Sequence, residues 1–310
     1  MEKNINLTTR LGRLKLKNPV LVASGTFGYG EEYAQFLNLN ELGGIITKAV
    51  TLNPTVGNPS PRLVETPAGL LNCIGLENPG VDVFIKEKLP FLKKFNVKII
   101  VNIAGEKESD YLELTKILSK VEGIDALEIN VSCPNVKRGG YSLGTNPKKV
   151  YFLTKSLKKI THLPLIVKLT PNVTDVTEIA KAAKNAGAEA LSLINTLLGM
   201  AINVSTQKPK LSNITGGLSG PAIRPVAVRM VWQVAQKVKI PLIGMGGIMN
   251  PEDALEFILV GASAIAIGTA NFVDPKAPLK VVKGIKCYLK EKKINNFQEL
   301  IGKVKTGRIP

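Results

Sequence analysis

The 310-residue sequence contains one histidine, one tryptophan and three cysteines, and it carries far fewer acidic than basic residues. With His162 as the sole imidazole, proton abstraction elsewhere in the chain falls to cysteine, lysine, tyrosine or a carboxylate. Cys73, Cys133 and Cys287 are too few and too scattered for a disulfide framework, and no CxxC pair suggests a zinc or iron–sulfur site. A reducing compartment fits this usage. No run of about 18 apolar residues could span a bilayer, and the N-terminus lacks the apolar core of a signal peptide. The expectation is a cytoplasmic protein with no membrane partner. No GxGxxG follows a strand and opens a helix, so a Rossmann dinucleotide unit is not indicated.

The 41 Lys and Arg against 24 Asp and Glu give a net charge of +17, which invites a nucleic-acid reading. The lysines instead fall on helix faces, as in Lys155, Lys158 and Lys159 or Lys181 and Lys184, and no dense arginine run or aromatic–basic interleaving appears. The charge is read as solvated helix surface, with no nucleic acid as partner.

Hydrophobic residues make up 45% of the chain, with 28 Gly and 19 Pro, the profile of an α/β protein. After a short alternating stretch, residues 5 to 16, eight apolar β-rich runs alternate with helical patterns. The runs lie at 19–24, 43–50, 97–105, 126–133, 164–170, 190–196, 240–247 and 264–270. Eight βα units predict a closed (β/α)8 TIM barrel occupying residues 1–310 as one domain. Helices are expected at 109–121, 147–160, 175–187 and 251–261, with Asp175 and Asn250 as N-caps and Pro251 at the first helical position.

Three connections, near 51–80, 134–146 and 197–223, exceed the usual length of a βα loop, and all follow strand C-termini, where barrel enzymes place their chemistry. The last, rich in Ser, Gly and Asn, suits a mobile cover. The strand ends carry polar groups that a buried sheet avoids: Ser24, Lys48, Asn102, Asn130 with Cys133, Lys168, and Asn195 with Thr196. Each alone could cap a strand, but their recurrence at one end argues for a ligand. Lys48 and Lys168 in particular need an anion or acceptor to sit in apolar strands.

The turns GMGGI (244–248) and AIGTA (266–270) end strands seven and eight, where backbone N–H groups can approach a phosphate. Without a dinucleotide fingerprint a mononucleotide fits such a site better, and flavin mononucleotide (FMN) leads; a lysine near the flavin N1 and O2 edge would favour the anionic reduced ring. His162 precedes strand five, at the opposite end of the barrel, and is expected to be structural. Cys133 lies at a strand end beside a long loop, and a thiol with a pKa near 8.5 suits removal of a carbon acid's proton. Cys73 has a weaker claim to that role, and Cys287 is expected to pack within a helix. The segment from Asn72 through Gly75 suits clamping a small planar polar ligand.

Taken together, NVSCPN (130–135), NCIGLENPG (72–80), ITKAVT (46–51), NIAG (102–105), SLINT (192–196) and GMGGI resemble the dihydroorotate dehydrogenase family across nearly the whole chain. Cysteine in NVSCPN resembles the soluble class 1 enzymes, where the membrane-associated class has serine. NVKRGG (135–140) and LTTRLGRLKLKNPV (7–20) resemble the NAD-linked type, whose catalytic subunit pairs with a subunit carrying FAD and an iron–sulfur cluster. The resemblance implies oxidation of dihydroorotate to orotate in pyrimidine biosynthesis, with Cys133 as catalytic base for the C5 proton and hydride passing from C6 to FMN. It implies substrate contacts at Lys48, Asn72, Cys73, Ile74, Gly75, Leu76, Asn130, Asn195 and Thr196. It places FMN against Ser24, Lys48, Ala49, Asn102, Asn130, Lys168, Ile194, Gly220, Gly246, Gly247, Gly268 and Thr269. A homodimer within a heterotetramer is the implied assembly. One departure is Glu77, where relatives often have glutamine.

Other readings remain open at this point. A flavin barrel resembling tRNA dihydrouridine synthase would also use a cysteine, although only about 40 residues follow strand eight, too few for an RNA-binding domain. A Schiff-base aldolase using Lys168 or Lys48 would need no flavin. Within the family, fumarate could replace NAD as acceptor.

Overall fold

Strands buried on both faces need apolar side chains at successive positions, and each of the eight apolar runs supplies one. The computed structural model describes residues 5–131 and 143–307. In chain order its strands are β1 (Thr9–Leu11), β2 (Leu14–Leu16), β3 (Val20–Val22), β4 (Gly44–Ile46), β5 (Leu63–Thr66), β6 (Gly69–Asn72), β7 (Lys98–Ile103), β8 (Ala126–Asn130), β9 (Leu165–Lys168), β10 (Ala190–Leu193), β11 (Leu197–Met200), β12 (Ile202–Asn203), β13 (Lys208–Pro209), β14 (Thr215–Ser219), β15 (Leu242–Met245) and β16 (Ala264–Ile267). Strands β3, β4, β7, β8, β9, β10, β15 and β16 pair in that order, all parallel, and β16 returns to β3 to close the barrel. Helices run back along the outside, among them Glu108–Leu118, Pro147–Ile160, Val176–Asn185, Arg224–Lys237, Pro251–Leu259 and Ala277–Glu291. The architecture is the expected (β/α)8 barrel.

Alternation along each strand divides the core in two. Ile100, Ala126, Ile166 and Ala190 belong to a cluster inside the barrel, whereas their neighbours Val101, Leu127, Val167 and Leu191 pack in the larger layer against the helices. The alternating stretch near the N-terminus becomes the β1–β2 hairpin, whose Leu11, Leu14 and Leu16 join the inner cluster and plug the barrel's N-terminal end. Burying each of these leucines stabilises the fold by about 1.5–3 kcal/mol.

Outside the plug, Glu189 lies between Arg13 (2.7 Å) and Lys158 (2.6 Å). The Arg13 hydrogen bond, reinforced by Lys158, outweighs burial and holds the Glu189 carboxyl down at about 2. A carboxylate with a depressed folded-state pKa contributes stability above its ordinary range and loses it as pH falls through the folded value. Glu189→Gln should therefore cost roughly 1 kcal/mol at neutral pH, the upper figure for ion pairs that solvent screens. Urea titrations should show that difference shrinking between pH 4.5 and about 2.

The expected caps form: Asp175 accepts from the Thr177 N–H and Asn250 from that of Asp253. Asn146 also caps its helix, accepting from Lys148 and Lys149. The segment expected as a mobile cover is drawn into a sheet, because β14 pairs with both β11 and β6, and β6 with β5. This antiparallel layer unites the long connections at 51–80 and 197–223 over one end of the barrel. Cys287 departs from expectation, since its helix turns it to solvent. His162, before β9, offers its backbone carbonyl to Arg13 at the plugged end.

Candidate active site

A cleft of about 250 Å³ opens where the barrel strands end and the antiparallel sheet begins. Because the strands are parallel, all their C-termini converge on this rim, so residues far apart in sequence share one wall. Ser24, Lys48, Ala49, Asn130, Lys168, Ile194, Asn195, Thr196, Gly246, Gly247, Gly268 and Thr269 line it from the barrel. Asn72, Ile74, Gly75, Leu76 and Gly220 line it from the cover. Two sequence-expected residues stand back from it. Asn102 is fully buried beneath the floor and bonds to Glu128 and Asn130. The Cys73 side chain turns away into an apolar cluster with Leu71 and Leu211, so only its backbone belongs to the clamping segment. Cys133 lies outside the described residues.

The two lysines differ. Lys168 is buried, and its ammonium donates to Ser24 Oγ at 3.2 Å. Among the described residues, Lys48 Nζ has no hydrogen-bond or ion-pair partner, although the Lys48 backbone is pinned by its N–H to Gly28 O at 2.8 Å. A half-buried ammonium on a fixed backbone, facing a cleft, is a ready site for an anionic ligand.

The glycine turns are tight for different reasons. At Gly247 and Gly220, both at positive φ, an added Cβ would lie 2.8 Å from Gly220 O and 2.7 Å from Gly69 Cα respectively, so backbone packing requires glycine. At Gly268 a Cβ would meet nothing nearer than Ala23 Cβ at 3.8 Å and would project into open cleft. Close backbone at Gly220 and Gly247, open space at Gly268, and the Thr269 hydroxyl that donates to Ser219 Oγ at 2.9 Å and so ties the 268–269 turn to the 219–220 segment, together fit a phosphate group.

The clamping segment is held by residues that the sequence did not single out. Asn58 donates its backbone N–H to the Ile74 carbonyl and its side-chain amide to the Cys73 carbonyl. Leu76 sits in the left-handed region (φ 60), which is strained for a branched side chain. Its carbonyl accepts from Asn78 Nδ2 at 2.8 Å, and Asn78 Oδ1 in turn accepts from the backbone of Thr51 and Gly80. Asn78 is buried, so Asn78→Ala orphans several groups at once. The change should cost about 2–3 kcal/mol in denaturant unfolding and raise KM by a larger factor than it lowers kcat.

Thr196 is seated by Asn172, whose amide donates to the Thr196 carbonyl, and by Gly217, where a Cβ would fall 2.0 Å from Thr196 Oγ1. Glu77, also on the cleft wall, is neutralised by an ion pair with Arg62. Glu128, fully buried under the floor, was also missed. The signal that could have found it is the one that marked Lys168: a charged residue within an apolar strand.

The dihydroorotate dehydrogenase family model matches residues 6–289. The catalytic subunit of dihydroorotate dehydrogenase B (NAD(+)) from Caldicellulosiruptor bescii is 55% identical over 300 residues, covering 97% of this chain and 99% of its own. That of Geotalea uraniireducens is 55% identical over 297 residues, covering 96% and 97%. A crystal structure of DHODH in complex with ferulenol from Eimeria tenella shares the fold, with a TM-score of 0.80 at 23% identity, over 97% of this chain and 89% of that one.

Proposed function

We propose, because this chain belongs to the dihydroorotate dehydrogenase family, that its cleft binds both FMN and dihydroorotate and divides the reaction between a cysteine base and a set of amides and ammonium groups. The chain oxidises dihydroorotate to orotate in pyrimidine biosynthesis, and it is the catalytic subunit of an NAD-linked enzyme that works with a partner subunit. The observation that carries the site reading is the convergence on one cleft of Lys48, Lys168, Asn72, Asn130 and Asn195 with two glycine turns.

Bound FMN would supply the two-electron acceptor that takes the hydride leaving C6. The chain's own residues do the rest. Lys48 meets the substrate's negative charge, and Asn72, Asn130, Asn195 and Thr196 present donors and acceptors to the pyrimidine carbonyls and N–H groups. The backbone from Cys73 to Leu76, fixed by Asn58 and Asn78, would pack against the ring. Cys133 takes the C5 proton. Lys168 and Ser24 lie on the barrel floor with Ala49 and Ile194, where they would meet the flavin ring, while Gly220, Gly246, Gly247, Gly268 and Thr269 would receive its phosphate. Asn102 acts from below, through Asn130.

The whole chain holds three cysteines, one short of the four thiolates that hold an iron–sulfur cluster. We therefore place the cluster on the partner subunit and, because the sequence carries no GxGxxG dinucleotide fingerprint, FAD there as well, with two copies of this chain in a heterotetramer. No helix among the described residues is long and apolar enough to cross a membrane, and we propose that residues 1–310 form one domain working in the cytoplasm. Acid release of the bound flavin followed by chromatography tests the cofactor: FMN is expected, and FAD or no flavin contradicts the reading. The partner is tested by NAD reduction, which should be slow for the isolated chain and rapid once the partner subunit is added.

A further inference from the structure

We infer that Glu128 is a positioning residue for the flavin site, holding the Lys168 ammonium at the cleft floor and offsetting its charge, so that it sets how readily a bound flavin is reduced. The inference rests on the FMN reading above. Inward-facing positions of β7, β8, β9 and β10 pass from an apolar layer, Ile100, Ala126, Ile166 and Ala190, to a polar one two residues later, Asn102, Glu128, Lys168 and Ser192. On these four strands the polar positions lie between the apolar layer and the cleft, whereas Ala23, Met245 and Ala266 of the inner apolar cluster reach the cleft directly on the other side.

Glu128 has no solvent exposure and does not itself line the cleft. Its Oε1 accepts from Ser192 Oγ at 2.7 Å, and its Oε2 accepts from Asn102 Nδ2. Lys168 Nζ stands 3.9 Å from Oε2, an electrostatic contact rather than a hydrogen bond, and reaches the cleft wall beside Ser24. The carboxylate is thus fixed by two neutral donors and turned toward one cation.

Stability does not account for this arrangement. A buried ion pair loses much of its Coulombic gain to desolvation, and apolar residues of similar volume often serve as well or better. The layer immediately below is built from such residues. A negative charge next to Lys168 has a different consequence: it lowers the net positive field at the floor, and that field stabilises a flavin that gains negative charge on reduction. Glu128 acts through Lys168 because the lysine lies between it and the cleft.

The test is an anaerobic redox titration of the FMN-loaded protein against a reference dye, for wild type, Glu128→Gln, Lys168→Gln and the double variant. Glutamine keeps the shape and the bond from Ser192 but removes the charge. Glu128→Gln should shift the two-electron reduction equilibrium about tenfold toward the reduced flavin, ~30 mV more positive. In the Lys168→Gln background the same change should move it less than twofold. An unshifted Glu128→Gln, or an equal shift in both backgrounds, overturns the inference. If Glu128→Gln does not fold, Ser192→Ala decides: by loosening the carboxylate it should shift the equilibrium about threefold, and no shift overturns the inference. A wild-type protein that binds no FMN removes the cofactor reading itself, whereas a yellow wild type with unshifted variants removes only the role of Glu128.

Discussion

Cys133→Ala is expected to bind FMN as the wild type does and to slow dihydroorotate-dependent flavin reduction by about 10²–10⁴-fold, the usual contribution of a positioned base. Three observations support so large an effect. Asn130, the last residue of β8, lines the cleft, and three further residues of chain reach at most about 10 Å. His162, the only imidazole, is at the plugged end, where it cannot reach the substrate. The Cys73 side chain is buried among Leu71 and Leu211, with the Pro61 carbonyl and the Ser212 hydroxyl as the partners of its sulfur. Rapid-mixing measurement of flavin bleaching checks the prediction. A variant that bleaches within a few-fold of wild type would transfer the base to another group.

Lys48→Ala should be nearly as damaging, lowering kcat/KM for dihydroorotate by about 10²–10³-fold, as loss of a charged donor from a water-poor site does. The ammonium has no partner among the described residues, so little of the effect can come from a broken structural contact, and the melting temperature should stay close to wild type. Lys48→Arg should recover little, because the planar guanidinium is larger than the ammonium and its fork demands a different anion geometry. If Lys48→Ala lost stability and activity together, the lysine would be part of the scaffold and the substrate's charge would be met elsewhere.

The barrel was legible in the sequence because parallel strands buried on both faces leave continuous apolar runs, and glycine or asparagine marks where the helices begin and end. Gly187 and Gly261 do sit at positive φ just beyond their helices. The strand-end polar residues were legible for a related reason: Lys48 and Lys168 interrupt apolar runs at a cost that only a ligand or partner offsets.

The cover sheet was not legible. Leu63–Thr66 is half exposed, and Thr215–Ser219 carries two adjacent glycines, so neither shows the hydrophobic signature of a strand. Its pairing is specified by close approach instead, as Gly216 shows, where a Cβ would fall 2.5 Å from the Asn72 carbonyl. Asn78 and Asn172 were equally silent, since each works by bonding backbone that is distant in sequence. Cys73 was read from its segment as a ligand contact, while its side chain, just past the end of β6, turns away from the site to pack with Leu71 and Leu211.

The most direct measurement of the central claim is anaerobic addition of dihydroorotate to the purified yellow protein, followed by absorbance and product analysis. The account predicts loss of the oxidised flavin spectrum with one orotate formed per flavin reduced, and recovery of the spectrum when an electron acceptor is admitted. A flavin that stays oxidised while dihydroorotate remains unchanged would contradict it.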